Sequence, residues 1–182
     1  MNTRLDRAQA CVLVVDVQER LVPAMPAEVV ARLVKMVRAL AGAARELGIP
    51  VLATEQYPKG LGPLVPEVRE VVGEVLAKVH FSCVADPEFA RVLAATGRKQ
   101  VVVAGMETHV CVFQTVRDLV AGGYQVQVCS DAVASRSEEH RRVGLELCRE
   151  AGALVTTAET AIFDLLGQAG TPEFKRVAGL VK

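Results

Sequence analysis

Three polar residues stand at the ends of apolar runs: Asp16 after Val12-Leu13-Val14-Val15, Lys78 within Ala77-Lys78-Val79, and Cys111 in the Gly105–Cys111 segment that follows Val101-Val102-Val103-Ala104. A thiol, a carboxylate and an ammonium are the parts of a nucleophilic hydrolase. The carboxylate can take the thiol proton, the lysine can balance the charges and orient the carboxylate, and free backbone N–H groups can hold the oxyanion of a tetrahedral intermediate. If a helix begins near Thr108, Cys111 lies in its first turn, where unpaired N–H groups and the dipole favour a thiolate. Plainer readings stay open beside this one. Asp16 can be a helix or loop cap, and Cys111 a small buried hydrophobe on a helix face. Lys78 is the odd residue, because lysine is almost never fully buried without a partner.

Other candidate groups point elsewhere. His109 lies two residues before Cys111, and residues two apart on a helix do not face each other, so a Cys–His dyad is not expected. His80 shares a strand face with Lys78 and could line the pocket, but it has no second histidine or carboxylate at ligand spacing, so no metal is expected. His140 follows Glu138-Glu139 on a polar helix face and should be solvated. No GxGxxG, GxxxxGK[ST] or GxSxG pattern follows a strand, which removes the usual dinucleotide, P-loop and serine-elbow chemistries. Cysteines 11, 83, 111, 129 and 148 form no CxxC pair. An odd count without a signal-peptide layout points to reduced thiols and a cytoplasmic protein.

These residues need a scaffold that brings strand ends together. Short β-branched runs at Cys11–Val15, Pro50–Thr54, Val75–Val79, Gln100–Ala104, Gln125–Cys129 and Ala153–Thr156 read as strands. Several are apolar without alternation, as parallel strands covered on both faces are. Val30, Leu33, Val34, Val37, Leu40 and Ala41 follow helical spacing up to Gly48, and Val110, Phe113, Val116, Leu119 and Val120 do so up to Gly122-Gly123. Further helices are expected over Glu138–Ala151, Glu159–Leu166 and Glu173–Val181. Segment Gln56–Arg69, with its prolines and glycines, reads as a long loop over a binding site. The expected architecture is a Rossmann-like, three-layer α/β/α sandwich in a single domain spanning residues 1–182. Ligands in such sheets sit at the carboxyl ends of the strands.

Charge narrows the partners. The 21 basic and 21 acidic side chains cancel, and no like-charge run gives the footprint of a nucleic-acid binder. No stretch approaches the length of a membrane span. A small molecule is the expected partner.

Taken in order, Val14-Val15-Asp16-Val17-Gln18, Lys78 with Phe81-Ser82, and Ala104-Gly105-Met106-Glu107-Thr108-His109-Val110-Cys111-Val112 resemble the isochorismatase-like cysteine hydrolases. Thr54–Gly62, Asp131-Ala132 with Ser135-Arg136-Ser137, and Thr156-Thr157-Ala158-Glu159 bring the resemblance closest to the isochorismatase-domain-containing branch. It covers the chain from about Cys11 to Lys182. The resemblance implies a six-stranded parallel sheet and an Asp16-Lys78-Cys111 triad. It also implies a cis peptide before Glu107, with the backbone N–H groups of Glu107 and Cys111 as the oxyanion hole. Nicotinamidases of this superfamily carry an Asp/His metal site after the second strand. Here Thr54-Glu55-Gln56-Tyr57 holds no histidine, which speaks against that activity and against a metal cofactor.

The expected chemistry is hydrolysis of a small amide-like substrate through a thioester, with no cofactor. Lys78 would lower the pKa of both partners, while Asp16 would raise that of the thiol. Gln56, Tyr57 and Phe81 are candidates for lining the pocket, and the resemblance and apolar composition suggest a homo-oligomer. Two alternatives remain open: an inactive metabolite-binding scaffold, and a redox-sensing thiol protein. The second lacks a resolving cysteine near Cys111 in sequence.

Overall fold

The computed structural model describes residues 3–181; Met1, Asn2 and Lys182, the ends of the expected domain, lie outside the described residues. Six strands form one parallel sheet: β1 (Ala10–Val15), β2 (Val51–Gln56), β3 (Glu74–Lys78), β4 (Gln100–Met106), β5 (Gln125–Ala134) and β6 (Leu154–Thr156). Their spatial order is β3-β2-β1-β4-β5-β6. After β1 the chain builds β2 and β3 on one side; with β4 it crosses to the other side and continues outward. The reversal puts the topological switch point at the carboxyl ends of β1 and β4, where doubly wound sheets bind ligands.

Every residue of β1 is buried, and its side chains alternate between two cores. Ala10, Val12 and Val14 pack against α1 (Ala27–Glu46), α7 (Ala158–Leu166) and Val177 of α8 (Pro172–Val177). Cys11, Leu13 and Val15 face Phe89 of α4 (Pro87–Ala95), Val116 and Leu119 of α5 (Phe113–Ala121), and Cys148 of α6 (Glu138–Glu150). Each fully buried valine or leucine stabilises the sandwich by roughly 1.5–3 kcal/mol relative to exposure. Continuous apolar strands are therefore the signature of a sheet covered on both faces.

The structure departs from the sequence expectations at particular places. β5 continues past Cys129 to Ala134, because between Val128 and Val133 it bulges while β4 advances only from Val103 to Gly105. The polar pair Ser130-Asp131 sits in that bulge and bonds sideways, to Thr156 O at 2.9 Å and Ala158 N at 2.8 Å. Helix α4 was not expected; Asp86 Oδ1 caps it by accepting from Glu88 N and Phe89 N. The Gln56–Arg69 loop holds two single turns, α2 (Pro58–Leu61) and α3 (Pro66–Arg69), and the last helix ends at Val177 instead of Val181.

Candidate active site

Asp16 follows β1 with φ 51°, a left-handed conformation that turns the chain sharply at the sheet edge. Its N–H still donates to Thr54 O at 3.1 Å, so the residue is pinned to β2 while its carboxylate meets Thr54 and Lys78. Gly105 makes this possible from the other side. A Cβ there would stand 2.0 Å from Val15 O, and φ is +122°, so only glycine lets β4 press against β1 just before Asp16.

The Asp16 carboxylate is held at both of its oxygens. Thr54 Oγ1 donates to Oδ1 at 2.7 Å, and Lys78 Nζ donates to Oδ2 at 2.7 Å. Lys78 ends β3, and its ammonium also reaches Gln56 Oε1 at 2.7 Å and the carbonyls of His80 and Phe81, each at 3.2 Å. Neither the Asp16 nor the Lys78 side chain has any exposure. Burial disfavours the lysine's charge, yet Asp16 and the neighbouring Cys83 and Cys111 outweigh it, and the Lys78 pKa is held above its ordinary value. The lysine is therefore an ammonium at neutral pH.

Cys111 lies in a π-helical turn, Thr108–Val112, that runs directly into α5. The Met106–Glu107 peptide before it is cis, and Glu107 O accepts from Val110 N at 3.1 Å and Val112 N at 3.2 Å. The Cys111 thiol lies close enough to the Asp16 carboxylate and the Lys78 ammonium for both charges to act on it, which gathers Cys111, Asp16 and Lys78 at the ends of β4, β1 and β3. Cys111 keeps 6% exposure while the other four cysteines have none. The sequence sets the helix start and Lys78, which favour a thiolate, against Asp16, which opposes it; burial and then the Asp16 charge push the thiol well above its ordinary value, with Lys78 pulling it down only in part. The resting thiol is protonated, because solvent exclusion outweighs the helix end.

The neighbourhood includes residues that the sequence did not flag. Cys83 is tied on one side to Thr115 Oγ1, which accepts from Cys83 N at 2.9 Å one helical turn after Cys111, and on the other lies 3.7 Å from Thr54 Oγ1. Burial first, then the Asp16 charge, push its thiol up to about 11. Gln18 is buried and clasps the loop to β2: Nε2 donates to Gln56 O at 3.0 Å and Gly62 O at 2.6 Å, while Oε1 accepts from Gln56 N at 2.8 Å. The alternation of β2 sends Thr54 and Gln56 to one face, a signal readable in sequence once Asp16 and Lys78 are paired.

Of the expected pocket residues, Gln56 is buried and spends its amide on Lys78 and on Val79 O. It supports the lysine. Tyr57, also left-handed at φ 39°, donates its N–H to Lys78 O, and its ring is 54% exposed; Phe81 is 53% exposed beside it in the chain's return from β3. His80 contributes its carbonyl, not its ring, to Lys78. His109 bonds Ser135 Oγ through Nδ1 at 3.0 Å and stacks on His140 at 4.4 Å, away from any dyad with Cys111. The exposed His140 is thus also a ring partner. Among the described residues no group of three His, Cys, Asp or Glu side chains could hold a metal ion. A groove of about 730 Å³ lies by Gln9, Lys99, Gln100 and Gln125 at the amino ends of the strands, opposite this cluster. The cluster's chemistry is confined to the carboxyl ends.

The isochorismatase domain matches residues 10–160. The chain belongs to the isochorismatase family. Among its relatives are a secreted isochorismatase effector of Phytophthora sojae, 42% identical over 79% of this chain and 71% of that protein, and isochorismatase domain-containing protein 1 of Salmo salar, 38% identical over 92% of this chain. This chain spans 59% of the length of the salmon protein. The MAR1 ribonuclease of Caenorhabditis elegans superimposes with TM-score 0.91 at 36% identity, covering 98% and 92% of the two chains. YcaC of Pseudomonas aeruginosa, solved with covalent acrylamide and hexane-2,5-diol, gives 0.89 at 27% identity over 99% and 92%. YcaC of Escherichia coli, an octameric hydrolase of unknown specificity, gives 0.90 at 25% identity over 99% and 91%. The three-layer sandwich and six-stranded parallel sheet of this isochorismatase-family hydrolase match these neighbours.

Proposed function

We propose that the chain is a cysteine hydrolase that cleaves the C–N bond of a small amide-like substrate through a thioester. The observation that carries this reading is the gathering of the Cys111 thiol, in a residue that keeps 6% exposure, beside the directly bonded Asp16 carboxylate and Lys78 ammonium, whose side chains have none. Because the thiol rests protonated, its proton passes to Asp16 as sulfur attacks the carbonyl carbon, and not before. The N–H groups of Glu107 and Cys111 take the oxyanion. Collapse breaks the C–N bond, and Asp16 returns the proton to the leaving amine. Water then attacks the thioester, gives its proton to Asp16, and the sulfur leaves and is reprotonated. Lys78 stays charged throughout and donates its hydrogen bond to the Asp16 carboxylate between proton transfers. The Pseudomonas relative was solved with covalent acrylamide, which supports a reactive nucleophile in a protein of this fold.

Tyr57 and Phe81, exposed at the ends of β2 and β3, line the mouth in this reading. We place the protein in the cytoplasm as a single-domain homo-oligomer that takes a small molecule and neither nucleic acid nor membrane. Balanced charge and the octameric Escherichia coli relative support this, and no helix among the described residues is long and apolar enough to cross a membrane. The test is turnover of a panel of small amides, carbamoyl compounds, vinyl ethers and an RNA oligonucleotide, with Cys111→Ala as control. Turnover of an amide that the control abolishes is expected. Cleavage of RNA or a vinyl ether alone, or activity surviving in Cys111→Ala, overturns the reading.

A further inference from the structure

The turn that carries Cys111 is gripped from outside the Cys111–Asp16–Lys78 cluster. Glu107, nearly buried, accepts from Arg136 at three points: Arg136 Nη2 at 2.7 Å on Oε2, Arg136 Nε at 3.0 Å and Arg136 N at 3.2 Å on Oε1. Arg136 follows β5, and its side chain is otherwise largely solvent-exposed. The same turn is pressed by α6, where a Cβ on Gly144 would stand 2.8 Å from His109 N and from Thr108 C. A forked guanidinium against a carboxylate fixes both distance and plane, which a lysine cannot do.

We propose that Arg136 is a positioning residue: through Glu107 it holds the turn so that the N–H groups of Glu107 and Cys111 face the oxygen of the bond under attack. This rests on the hydrolase reading, since it gives those N–H groups an oxyanion to bind. An ion pair that only stabilised the fold would not distinguish between reactions of the sulfur. An ion pair that aims oxyanion donors must, because it matters only where charge builds on oxygen.

Two neutral probes of similar size separate these cases. Addition of the Cys111 sulfur to acrylamide forms a C–S bond at the β-carbon, builds negative charge on the amide oxygen, and ends with a proton on the α-carbon. Displacement on iodoacetamide forms the C–S bond as iodide leaves, and the charge goes to the halide. We would measure both rates at Cys111 by mass spectrometry for the native protein, Arg136→Ala, Arg136→Lys and Glu107→Gln, with thermal unfolding to establish that each is folded. The expected result is that Arg136→Ala slows acrylamide addition by roughly tenfold or more, up to the roughly 100- to 1000-fold seen on losing an oxyanion donor outright, while iodoacetamide alkylation changes less than about twofold. Arg136→Lys should fall between, and Glu107→Gln should match Arg136→Ala. Equal slowing of both reactions, or no change in either, in variants that fold overturns the proposal. If Arg136→Ala fails to fold, the ratio in Arg136→Lys decides alone, and an unchanged ratio there is contrary. These rates need no turnover, so a failure to find an amide substrate sinks the hydrolase reading and leaves the positioning result readable.

Discussion

Lys78→Met removes the cation from a carboxylate that no water reaches. Asp16 Oδ2 loses its 2.7 Å donor, and Gln56 Oε1 and the His80 and Phe81 carbonyls lose theirs. Breaking a buried pair by deleting one partner costs about 3–5 kcal/mol, since the remaining charge stays desolvated. At about 2–4 °C per kcal/mol for a chain of this size, the melting temperature should fall by roughly 6–20 °C. The deficit should be largest above neutral pH and narrow on acidification by up to about 1.4 kcal/mol per pH unit, because the variant's folded state can shed the stranded charge by taking a proton that the unfolded chain does not hold. Lys78→Met with Asp16→Leu removes both charges and should be more stable than Lys78→Met alone. Denaturant unfolding at pH 8 and pH 5.5 measures all three proteins. A loss below about 1 kcal/mol for Lys78→Met at pH 8, or a double variant less stable than the single, refutes the reasoning.

Three further outcomes follow from the same geometry. Iodoacetamide labelling of Cys111 should accelerate only at alkaline pH; Asp16→Asn, which removes the second largest cause holding the thiol up, should move that rise to lower pH and still abolish turnover, and labelling at neutral pH with an unshifted profile contradicts this. His109 is held below its ordinary pKa, first by burial and also by His140 and Arg136, against the pull of Glu107. Its neutral ring therefore contributes stability that is present above about pH 6.5 and lost as pH falls through the folded value, so His140→Ala should flatten the stability profile below pH 6.5. Dialysis against a chelator should leave turnover of the best amide unchanged, and loss of activity restored by zinc would be contrary.

Much of this was legible in the chain because local and global signals agree. Val12–Val15 and Val101–Ala104 read as covered parallel strands, and Asp16 after the first and the Gly105–Cys111 segment after the second fell at the switch point of the sheet. What escaped was of two kinds. The single turns α2 and α3 are too short to show a helical period, and α4 announced itself only through Asp86-Pro87 and the Phe89, Val92, Leu93 spacing. The thiol's environment escaped for a different reason. A helix start, a lysine and an opposing carboxylate are visible in sequence, but desolvation comes from the packing of β1, β4 and α5 around the sulfur, and it is the largest cause that raises the thiol. Cys83 and Arg136 reach the site from remote positions, so spacing alone could not join them to Cys111.

The most direct test is to quench the reaction of the best amide within its first turnovers and map the protein by mass spectrometry. The expected result is an acyl increment on Cys111 that hydroxylamine removes, absent in Cys111→Ala and persistent in a variant slowed at thioester hydrolysis. Continued turnover with Cys111 unmodified, or an acyl group on any other residue, would contradict a thioester at this sulfur.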